Sequence, residues 1–285
     1  MKPLLDGGDL LLVACLRLVP AGLIVLLATR LLGRPLTIAR ADWGPLLLFA
    51  LVDGTLFQGL LVRGLQQTGA GLGSVLIDSH PLLVALLARA TLGEAINPVG
   101  WLGLLLGLLG ISCLGLPAGL LQHWWLEGPA VLDQHPLSHG ELWMLAAAAA
   151  MAAGTILCRR ASRHSDPVAV TGWHMVLGGL PLALAVGLGE GSGFTPGWSA
   201  LQWGLMGYAS LLGSALAYGL FFWFASSGDL TGFTSLTFLT PVFALLTGVL
   251  VLHESLQPLQ WLGASIALLS VLLINRRAAL WEPAP

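Results

Sequence analysis

Two stretches of this sequence follow one pattern: EAINPVGWLG at residues 94–103 and ESLQPLQWLG at residues 254–263. Aligning the chain with itself so that Glu94 falls on Glu254 also places Pro81 on Pro241. Tryptophan, proline and glutamate carry this repeat alignment, and these residues are rare in a leucine-rich chain, so chance does not explain it. The sequence therefore contains an internal repeat, and a repeat has to be recognised before any local structure is interpreted.

The composition indicates a membrane protein. Of the 285 residues, 56% are hydrophobic and 9% are charged, and the mean hydropathy is +0.86. A soluble domain has about 25% charged residues, so this chain cannot cover its surface with polar groups. Its 12 basic residues nearly balance its 14 acidic ones, which predicts no nucleic-acid partner. Cys15, Cys113 and Cys158 lie in apolar runs without metal-ligand spacing, and we expect buried thiols.

Nine apolar runs approach the length of about 20 residues that a helix needs to cross a bilayer. They predict an all-α polytopic membrane protein. In chain order the runs are Leu10–Leu32, Trp43–Gly64, Gly69–Leu92, Val99–Leu116, Gly140–Cys158, Val168–Gly189, Leu201–Phe224, Leu230–Leu252 and Leu259–Ile274.

An odd number of runs is unexpected in a repeated chain, and the repeat itself suggests a reason. Near the N-terminus the best match uses a slightly shorter offset, which places Arg17 on His174 and Met1 on Cys158, at the end of the fifth run. We therefore expect the first helix to be missing, so that four plus five spans are present of an expected five plus five. A start site assigned too far downstream would produce this arrangement.

Positive charges predict the orientation, because cytoplasmic loops collect Lys and Arg. Nine arginines fall on one set of alternate loops and ends, whereas Lys2 and Arg63 fall on the other. We therefore expect a multi-pass protein of the cell membrane with a cytoplasmic C-terminus. Repeat-equivalent helices are an odd number of spans apart, which predicts an inverted-repeat helical bundle. The nine arginines are Arg30, Arg34, Arg40, Arg89, Arg159, Arg160, Arg163, Arg276 and Arg277.

The repeat also predicts the domain organisation. Residues 1–117 form the first repeat, without its first helix, and residues 118–139 form an outer connecting loop. Residues 140–277 form the second repeat, and residues 278–285 form a cytoplasmic tail.

We predict no metal site, catalytic site or cofactor. The histidines of the connecting loop, His123, His135 and His139, lie in a Pro/Gly-rich linker with spacings that do not suit a metal ion, so we expect them to be solvated. The sequence has no glycine-rich phosphate-binding loop, which argues against ATP as the energy source.

The repeated motif resembles that of a known family. A helix-internal proline, a glutamate thirteen residues later and a glycine in the next helix occur in both halves, and Ala14-Cys15-Leu16-Arg17 resembles a pattern of the family's second helix. The chain is similar to the EamA-type branch of the drug/metabolite transporter superfamily. This resemblance implies a 5+5 inverted repeat of ten helices, alternating access and a small-molecule substrate. The motif residues are Pro81, Glu94, Gly103, Pro241, Glu254 and Gly263.

Pro81 and Pro241 are expected in the middle of equivalent helices. Each removes a backbone N–H and interferes with the carbonyl four residues earlier, at Ile77 and Thr237. One interpretation is a kink that serves packing. The other is a broken helix whose freed carbonyl lines a transport cavity.

Glu94 and Glu254 are expected just after helix ends, each followed by a proline that opens the next helix. A carboxylate near a helix N-terminus is stabilised by about 0.3–1 kcal/mol. We interpret both as turn and cap residues, with gating contacts as the alternative.

Asp53, Asp78 and His80 are ionisable residues inside predicted spans, with both aspartates near the midplane. An ionised carboxylate there costs at least about 2.5–3.5 kcal/mol. The repeat places Gly213 and Phe238 opposite the two aspartates, so symmetry does not require them. They are either protonated and hydrogen-bonded to a neighbouring helix, or part of a substrate or proton site.

Arg17 and His174 occupy equivalent positions near opposite membrane faces. Arg17 can extend to the outer surface, pair with Asp53 or Asp78, or meet an anionic group of a substrate. We place Arg17 and His174 with the three residues above in one central cavity between the halves.

The sequence is best interpreted as a secondary active transporter of small organic metabolites or drugs that works by alternating access, with export favoured by family analogy. Its partners are a small-molecule substrate and the lipid bilayer, and proton coupling and a homodimer are both compatible with it. One alternative is a membrane-embedded enzyme built on Asp78, Ser79 and His80, although consecutive helical residues point about 100° apart. The other is an inactive scaffold that lacks one cavity helix.

Overall fold

The computed structural model of the chain describes residues 10–68, 70–115, 139–188, 197–252 and 258–281. Those residues form helices and connecting turns, with no strand among them. The helices are α1 (Leu10–Leu31), α2 (Arg40–Gln67), α3 (Ala70–Asp78), α4 (His80–Leu92), α5 (Pro98–Gly115), α6 (His139–Ala161), α7 (Pro167–Leu188), α8 (Ala200–Ala225), α9 (Leu230–Ser235), α10 (Leu239–Leu252), α11 (Pro258–Asn275) and α12 (Arg277–Leu280).

Eight helical stretches in the described residues are long and apolar enough to cross a membrane. A ninth apolar helix, Pro98–Leu114, is shorter and occupies the fourth predicted run. Leucines such as Leu31 and Leu188, each 77% exposed, show that much of the apolar surface faces outward, as lipid contact requires. The prediction of an all-α polytopic membrane protein is confirmed.

The chain divides into two compact units, and each unit takes helices from both halves of the sequence. Unit 1 comprises Met1–Gln66 and Ala149–Gly228, and therefore contains α1, most of α2, the second half of α6, α7 and α8. Unit 2 comprises Gln67–Ala148 and Asp229–Pro285, and contains α3 to α5, the first half of α6 and α9 to α12.

In unit 1, the repeat-equivalent helices α1 and α7 pack against each other in opposite directions. Going forward along α1, contacts move backward along α7. A Cβ added to Gly179 would lie 2.3 Å from the Val19 side chain, and one added to Gly172 would lie 2.7 Å from that of Leu26. Glycines let the helices approach this closely. The antiparallel contact is what an inverted repeat requires.

Unit 2 shows the same relationship between α5 and α11. A Cβ added to Gly103 would lie 2.6 Å from the Ile274 side chain, and one added to Gly110 would lie 2.7 Å from the backbone of Ala267. Phe238 is fully buried against this pair of helices. Matched helices are therefore antiparallel in both units.

The two longest helices of unit 1, α2 and α8, contain a π-helical stretch at equivalent positions. The stretch is Ala50–Phe57 in α2 and Leu211–Leu216 in α8, and the repeat alignment places the second inside the first. Single-turn π segments often occur at functional sites, since the wider turn redirects the side chains on it.

The two motif prolines lie in the first turn of a helix and not in its middle. The span around Pro81 is interrupted at Ser79, so that Pro81 is the second residue of α4. The span around Pro241 passes through a 3-10 turn at Leu236–Phe238 before α10 begins. A proline is tolerated in the first turn because the N–H groups there have no intrahelical partner. In both halves the helix is broken ahead of the proline.

Candidate functional site

Asp53 lies in the π-helical stretch of α2 and is 1% exposed. Two close helix contacts create its position. Gly54 packs on α7, where its added Cβ would lie 2.7 Å from the Gly178 Cα, and the Thr55 hydroxyl donates to the Gly178 carbonyl at 2.7 Å. On α6, a Cβ added to Gly154 would lie 2.6 Å from the Asp53 Oδ1. The carboxyl group therefore occupies space that a glycine of α6 leaves free.

His174 of α7 pairs with this carboxyl group. Its Nε2 is 3.2 Å from the Asp53 Oδ2, and the two side chains are 0% and 1% exposed. Phe49 stacks on the imidazole with ring centroids 3.9 Å apart, and Phe222 meets it edge-on at 5.2 Å. Among the described residues, the Asp53 Oδ1 and the His174 Nδ1 have no hydrogen-bond partner. The pair is thus enclosed by aromatic rings with one polar atom unsatisfied at each end.

Arg17 of α1 forms a second polar group in the same unit. Its Nη2 donates to the Gln58 Oε1, and the Gln58 Nε2 donates to the Tyr218 hydroxyl at 3.0 Å. Within unit 1, Arg17 has a neutral amide as its partner and no carboxylate in ion-pair distance, so the expected pairing with Asp53 is not formed. Its Nε is buried without a hydrogen-bond partner among the described residues. Arg17 therefore retains an uncompensated donor inside the span.

Gln58 and Tyr218 were not among the residues predicted from the sequence. Neither carries a charge, and neither belongs to the repeated motif. A signal for them existed, because the repeat alignment places Gln58 on Tyr218, and polar residues at equivalent positions of two apolar spans are rare in this chain.

Asp78 and His80 belong to unit 2 and lie at the interruption between α3 and α4. The His80 imidazole is 2% exposed, and its Nδ1 is 3.3 Å from the carbonyl of Ile77. The Ser79 hydroxyl donates to the Leu76 carbonyl at 2.6 Å, so it is not positioned as a nucleophile for His80. The shared cavity predicted for all five ionisable residues stays a prediction.

Glu94 caps a helix of unit 2, though not the one that follows it in sequence. Its Oε1 accepts from the backbone N–H of Thr231 at 3.1 Å, at the start of α9, and lies 3.3 Å from the Arg277 guanidinium. Arg277 also holds Asp229 at 2.8 Å, and its carbonyl accepts from the Asn97 amide. The equivalent residue Glu254 lies outside the described residues.

The two carboxyl groups of this cluster have opposite pKa shifts. Burial raises the pKa of Glu94, and the neighbouring Asp229 carboxylate raises it further. Partial burial alone would raise the pKa of Asp229, but the Arg277 guanidinium, the Glu94 carboxyl group and the N–H of Gly232 lower it to about 2. Asp229 is therefore the carboxylate that stays charged, and Glu94 is the one that takes up a proton first.

None of the described residues forms a cluster of three or more side chains suited to a metal ion.

Several proteins are similar to this chain. An uncharacterized transporter of Synechocystis, sll0355, is 50% identical over 283 residues, which cover 98% of this chain and 86% of the relative. The chloroplastic WAT1-related protein At3g02690 of Arabidopsis thaliana is 43% identical over 96% of this chain, which spans 65% of that relative. A solved structure with 17% identity superposes over 99% of this chain and 92% of its own, with a TM-score of 0.79, which shows the fold alone.

These matches give no support to the prediction of a missing first helix. The Synechocystis relative aligns with 98% of this chain, and the described chain opens with a membrane-length helix at Leu10–Leu31. The repeat alignment of Arg17 with His174 shows that α7 is the counterpart of α1. It gives no information about residues before Met1. The prediction is therefore not supported.

A family comparison agrees with the repeat and with the relatives. The EamA-like transporter family matches residues 1–116 and 138–276, so both halves of the repeat fall within the matched ranges. Because the match covers most of the chain, and several relatives are themselves named as transporters, the protein is a multi-pass membrane transporter and belongs to the EamA-like transporter family.

Proposed function

We propose that this protein is a secondary active transporter that exports small organic molecules across the cell membrane by alternating access. The observation that carries the proposal is the Asp53–His174 pair. Both side chains are fully buried inside apolar spans, and each keeps an unsatisfied polar atom. Ionisable residues inside a membrane span are costly and usually belong to a substrate or ion pathway.

The position of the second polar group supports alternating access. Gln58 and Tyr218 are equivalent under the repeat and bond to each other, so the internal pseudo-twofold axis of unit 1 passes close to their contact. In inverted-repeat transporters the substrate site lies at the repeat interface, and the repeats exchange conformations around it. Residues on the axis keep their surroundings when the two halves exchange conformations.

The coupling we propose uses Asp53 and His174 as the proton carrier. A carboxyl group and an imidazole at 3.2 Å can share one proton between Oδ2 and Nε2. Loss of that proton leaves the Asp53 carboxylate next to a neutral imidazole, with Arg17 as a cation of the same unit. Export follows if proton entry from outside and substrate release alternate at this pair.

The orientation is proposed from the arginines. Arg34 and Asp166 pair at 2.7 Å, and the Arg159 guanidinium donates to the Gly228 carbonyl. These contacts place the arginine-rich connections of unit 1 at one end of its helices. We assign this end, and the C-terminus, to the cytoplasm.

Reconstituted protein tests the function. Proteoliposomes that contain the pH dye pyranine are diluted to give an inward proton gradient, and a cell metabolite extract is loaded inside. We expect the wild type to dissipate the gradient only when the extract is present, with specific metabolites lost from the lumen by mass spectrometry. Asp53→Asn should abolish both signals, whereas Asp166→Asn, the same chemical change at the span end, should retain them. Equal activity of Asp53→Asn and the wild type would contradict the assignment.

A further inference from the structure

An apolar groove runs along the surface of unit 1 between α1 and α8. Its volume is about 750 Å³. One wall carries Ile24 and Ala28 of α1 with Leu32 directly after it, and the other carries Ala215, Gly219 and Trp223 of α8. The groove is open: Leu32 is 70% exposed and Trp223 is 43% exposed.

The length of the groove matches one leaflet of a membrane. Its wall on α8 extends from Leu211 to Trp223, which is about 18 Å at about 1.5 Å per helical residue. The hydrocarbon core of a bilayer is about 30 Å thick, so one leaflet accounts for about 15 Å. A single acyl chain that lies parallel to α8 has the length and the polarity of this groove.

The groove ends at a cation. The Arg34 guanidinium carbon lies 5.2 Å from the centroid of the Trp223 ring, and Arg34 itself lines the groove. Its Nε donates to the Asp166 carboxylate at 2.7 Å, and the side chain is 32% exposed. Its two Nη groups have no hydrogen-bond partner among the described residues. Planar guanidinium donors suit a phosphate group.

The surroundings of Arg34 carry an excess of positive charge. The loop that holds Arg34 contacts the loop that follows α6, through Arg34–Asp166, the Ala39 N–H with Ser165, and Asp42 with His164. Arg160 in the last turn of α6 and Arg163 in that second loop line a small pocket of about 380 Å³ beside Asp42. Clustered arginines at a membrane surface attract anionic lipids over zwitterionic ones.

We infer that this groove is a binding site for an anionic phospholipid, with one acyl chain between α1 and α8 and the phosphate at Arg34. The lipid belongs to the leaflet on the arginine-rich side, which is the predicted cytoplasmic side. The site is separate from the Asp53–His174 pair, and the inference does not depend on the proposed transport function.

The test separates the acyl chain from the phosphate. Purified variants are reconstituted in vesicles of equimolar phosphatidylglycerol and phosphatidylcholine, extracted in mild detergent and measured by native mass spectrometry. Gly219→Ile fills the groove, because Gly219 lines its α8 wall and an added Cβ would lie 4.0 Å from the Val25 side chain on the opposite wall. Gly207→Ile is the matched control on the same helix, where an added Cβ meets nothing within 4 Å. Arg34→Gln combined with Asp166→Asn removes the cation and its partner together.

We expect the wild type and Gly207→Ile to retain phosphatidylglycerol several-fold over phosphatidylcholine. Gly219→Ile should lose most of the retained lipid, and the double variant should retain lipid without preference. Equal retention of both lipids by the wild type would overturn the inference, as would equal lipid content in the two isoleucine variants. Loss of a dimer in Gly219→Ile with unchanged lipid would assign the groove to a second copy of the chain. If Gly219→Ile does not fold, Leu216→Trp fills the same groove from an exposed position.

Discussion

Gln58 and Tyr218 are equivalent under the internal repeat, and they are hydrogen-bonded to each other at 3.0 Å. Two equivalent residues can touch only where the pseudo-twofold axis passes between them. Arg17, which is equivalent to His174, bonds to the same amide. The polar interior of unit 1 is therefore organised around the axis, with Gln58 and Tyr218 at it and the equivalent residues Arg17 and His174 on opposite sides of it.

The first prediction concerns the axial hydrogen bond. Tyr218→Phe removes the hydroxyl that accepts from Gln58 and leaves a fully buried amide N–H without its partner. An unsatisfied buried donor costs about 1–3 kcal/mol, so the melting temperature should fall and transport should slow. Tyr208→Phe is the control, because Tyr208 is 66% exposed. Equal melting temperatures for the two variants would show that the Gln58–Tyr218 bond contributes nothing to stability.

The second prediction concerns the space that Gly154 leaves for Asp53. In Gly154→Ala, the new methyl group would lie 2.6 Å from the Asp53 Oδ1, so the carboxyl group must move away from its present position. Overpacking of this kind costs about 1–3 kcal/mol, and we expect proton-coupled flux to fall well below that of the wild type. Gly213→Ala is the control. The repeat alignment places Gly213 opposite Asp53, and a Cβ added to Gly213 meets nothing within 4 Å. Normal flux in Gly154→Ala would mean that the position of Asp53 is not critical.

The third prediction concerns the pH dependence of unit 2. Because the pKa of Asp229 is lowered to about 2, its stabilising contribution is complete above the ordinary value of 3.8 and is lost only as the pH falls toward 2. Asp229→Asn should therefore lower the melting temperature at pH 5, where Asp229 is charged, and this loss should shrink toward pH 8 as Glu94 ionises and the repulsion that Asp229 exerts on it is removed.

Glu94 should behave in the opposite sense. Its pKa is raised, so its contribution is complete below the ordinary value of 4.5 and is lost as the pH rises through the folded-state value. Glu94→Gln keeps an acceptor for the Thr231 N–H, and its melting temperature relative to the wild type should rise with pH. Thermal unfolding in detergent at pH 4.5 to 8 measures both variants. A difference in melting temperature between Glu94→Gln and the wild type that does not change with pH would contradict the raised pKa of Glu94.

The fourth prediction concerns topology. Gly197 and Ser227 lie at opposite ends of α8, and both are exposed. In a variant without native cysteines, an impermeant maleimide added to intact cells should label Gly197→Cys and not Ser227→Cys. Labelling after permeabilisation confirms that both thiols are reactive. The reverse pattern would place the arginine-rich ends outside.

Much of the fold follows from the sequence, because the lengths of the apolar runs and the internal repeat are both visible in it. The opposite orientation of the equivalent helices α1 and α7 was implied by an odd helix offset, whereas their direct contact through Gly172 and Gly179 was not predicted. The π-helical stretches were not predictable, since no residue pattern distinguishes Ala50–Phe57 from an ordinary helix. In α2 the stretch coincides with a close tertiary contact, the backbone approach of Gly54 to Gly178.

The candidate site was predictable in part. Asp53 and His174 were identified because ionisable residues are expensive inside a membrane, and the structure pairs them. Gln58 and Tyr218 carry no charge, so the same reasoning passed over them. The pairing partner of Arg17 could not be predicted, because the choice between a neutral amide and a carboxylate depends on distances that the sequence does not give.

The division into units has a consequence for biogenesis. Since α1 and most of α2 belong with α7 and α8, the first half of the chain enters the membrane before the surfaces that complete its packing have been synthesised. The surface of α1 around Gly22, where an added Cβ would lie 2.9 Å from Met175 of α7, stays without its partner until α7 has been inserted. Two fragments divided in the connecting segment should therefore assemble only when produced together, and the N-terminal fragment made alone should be a substrate for membrane proteases.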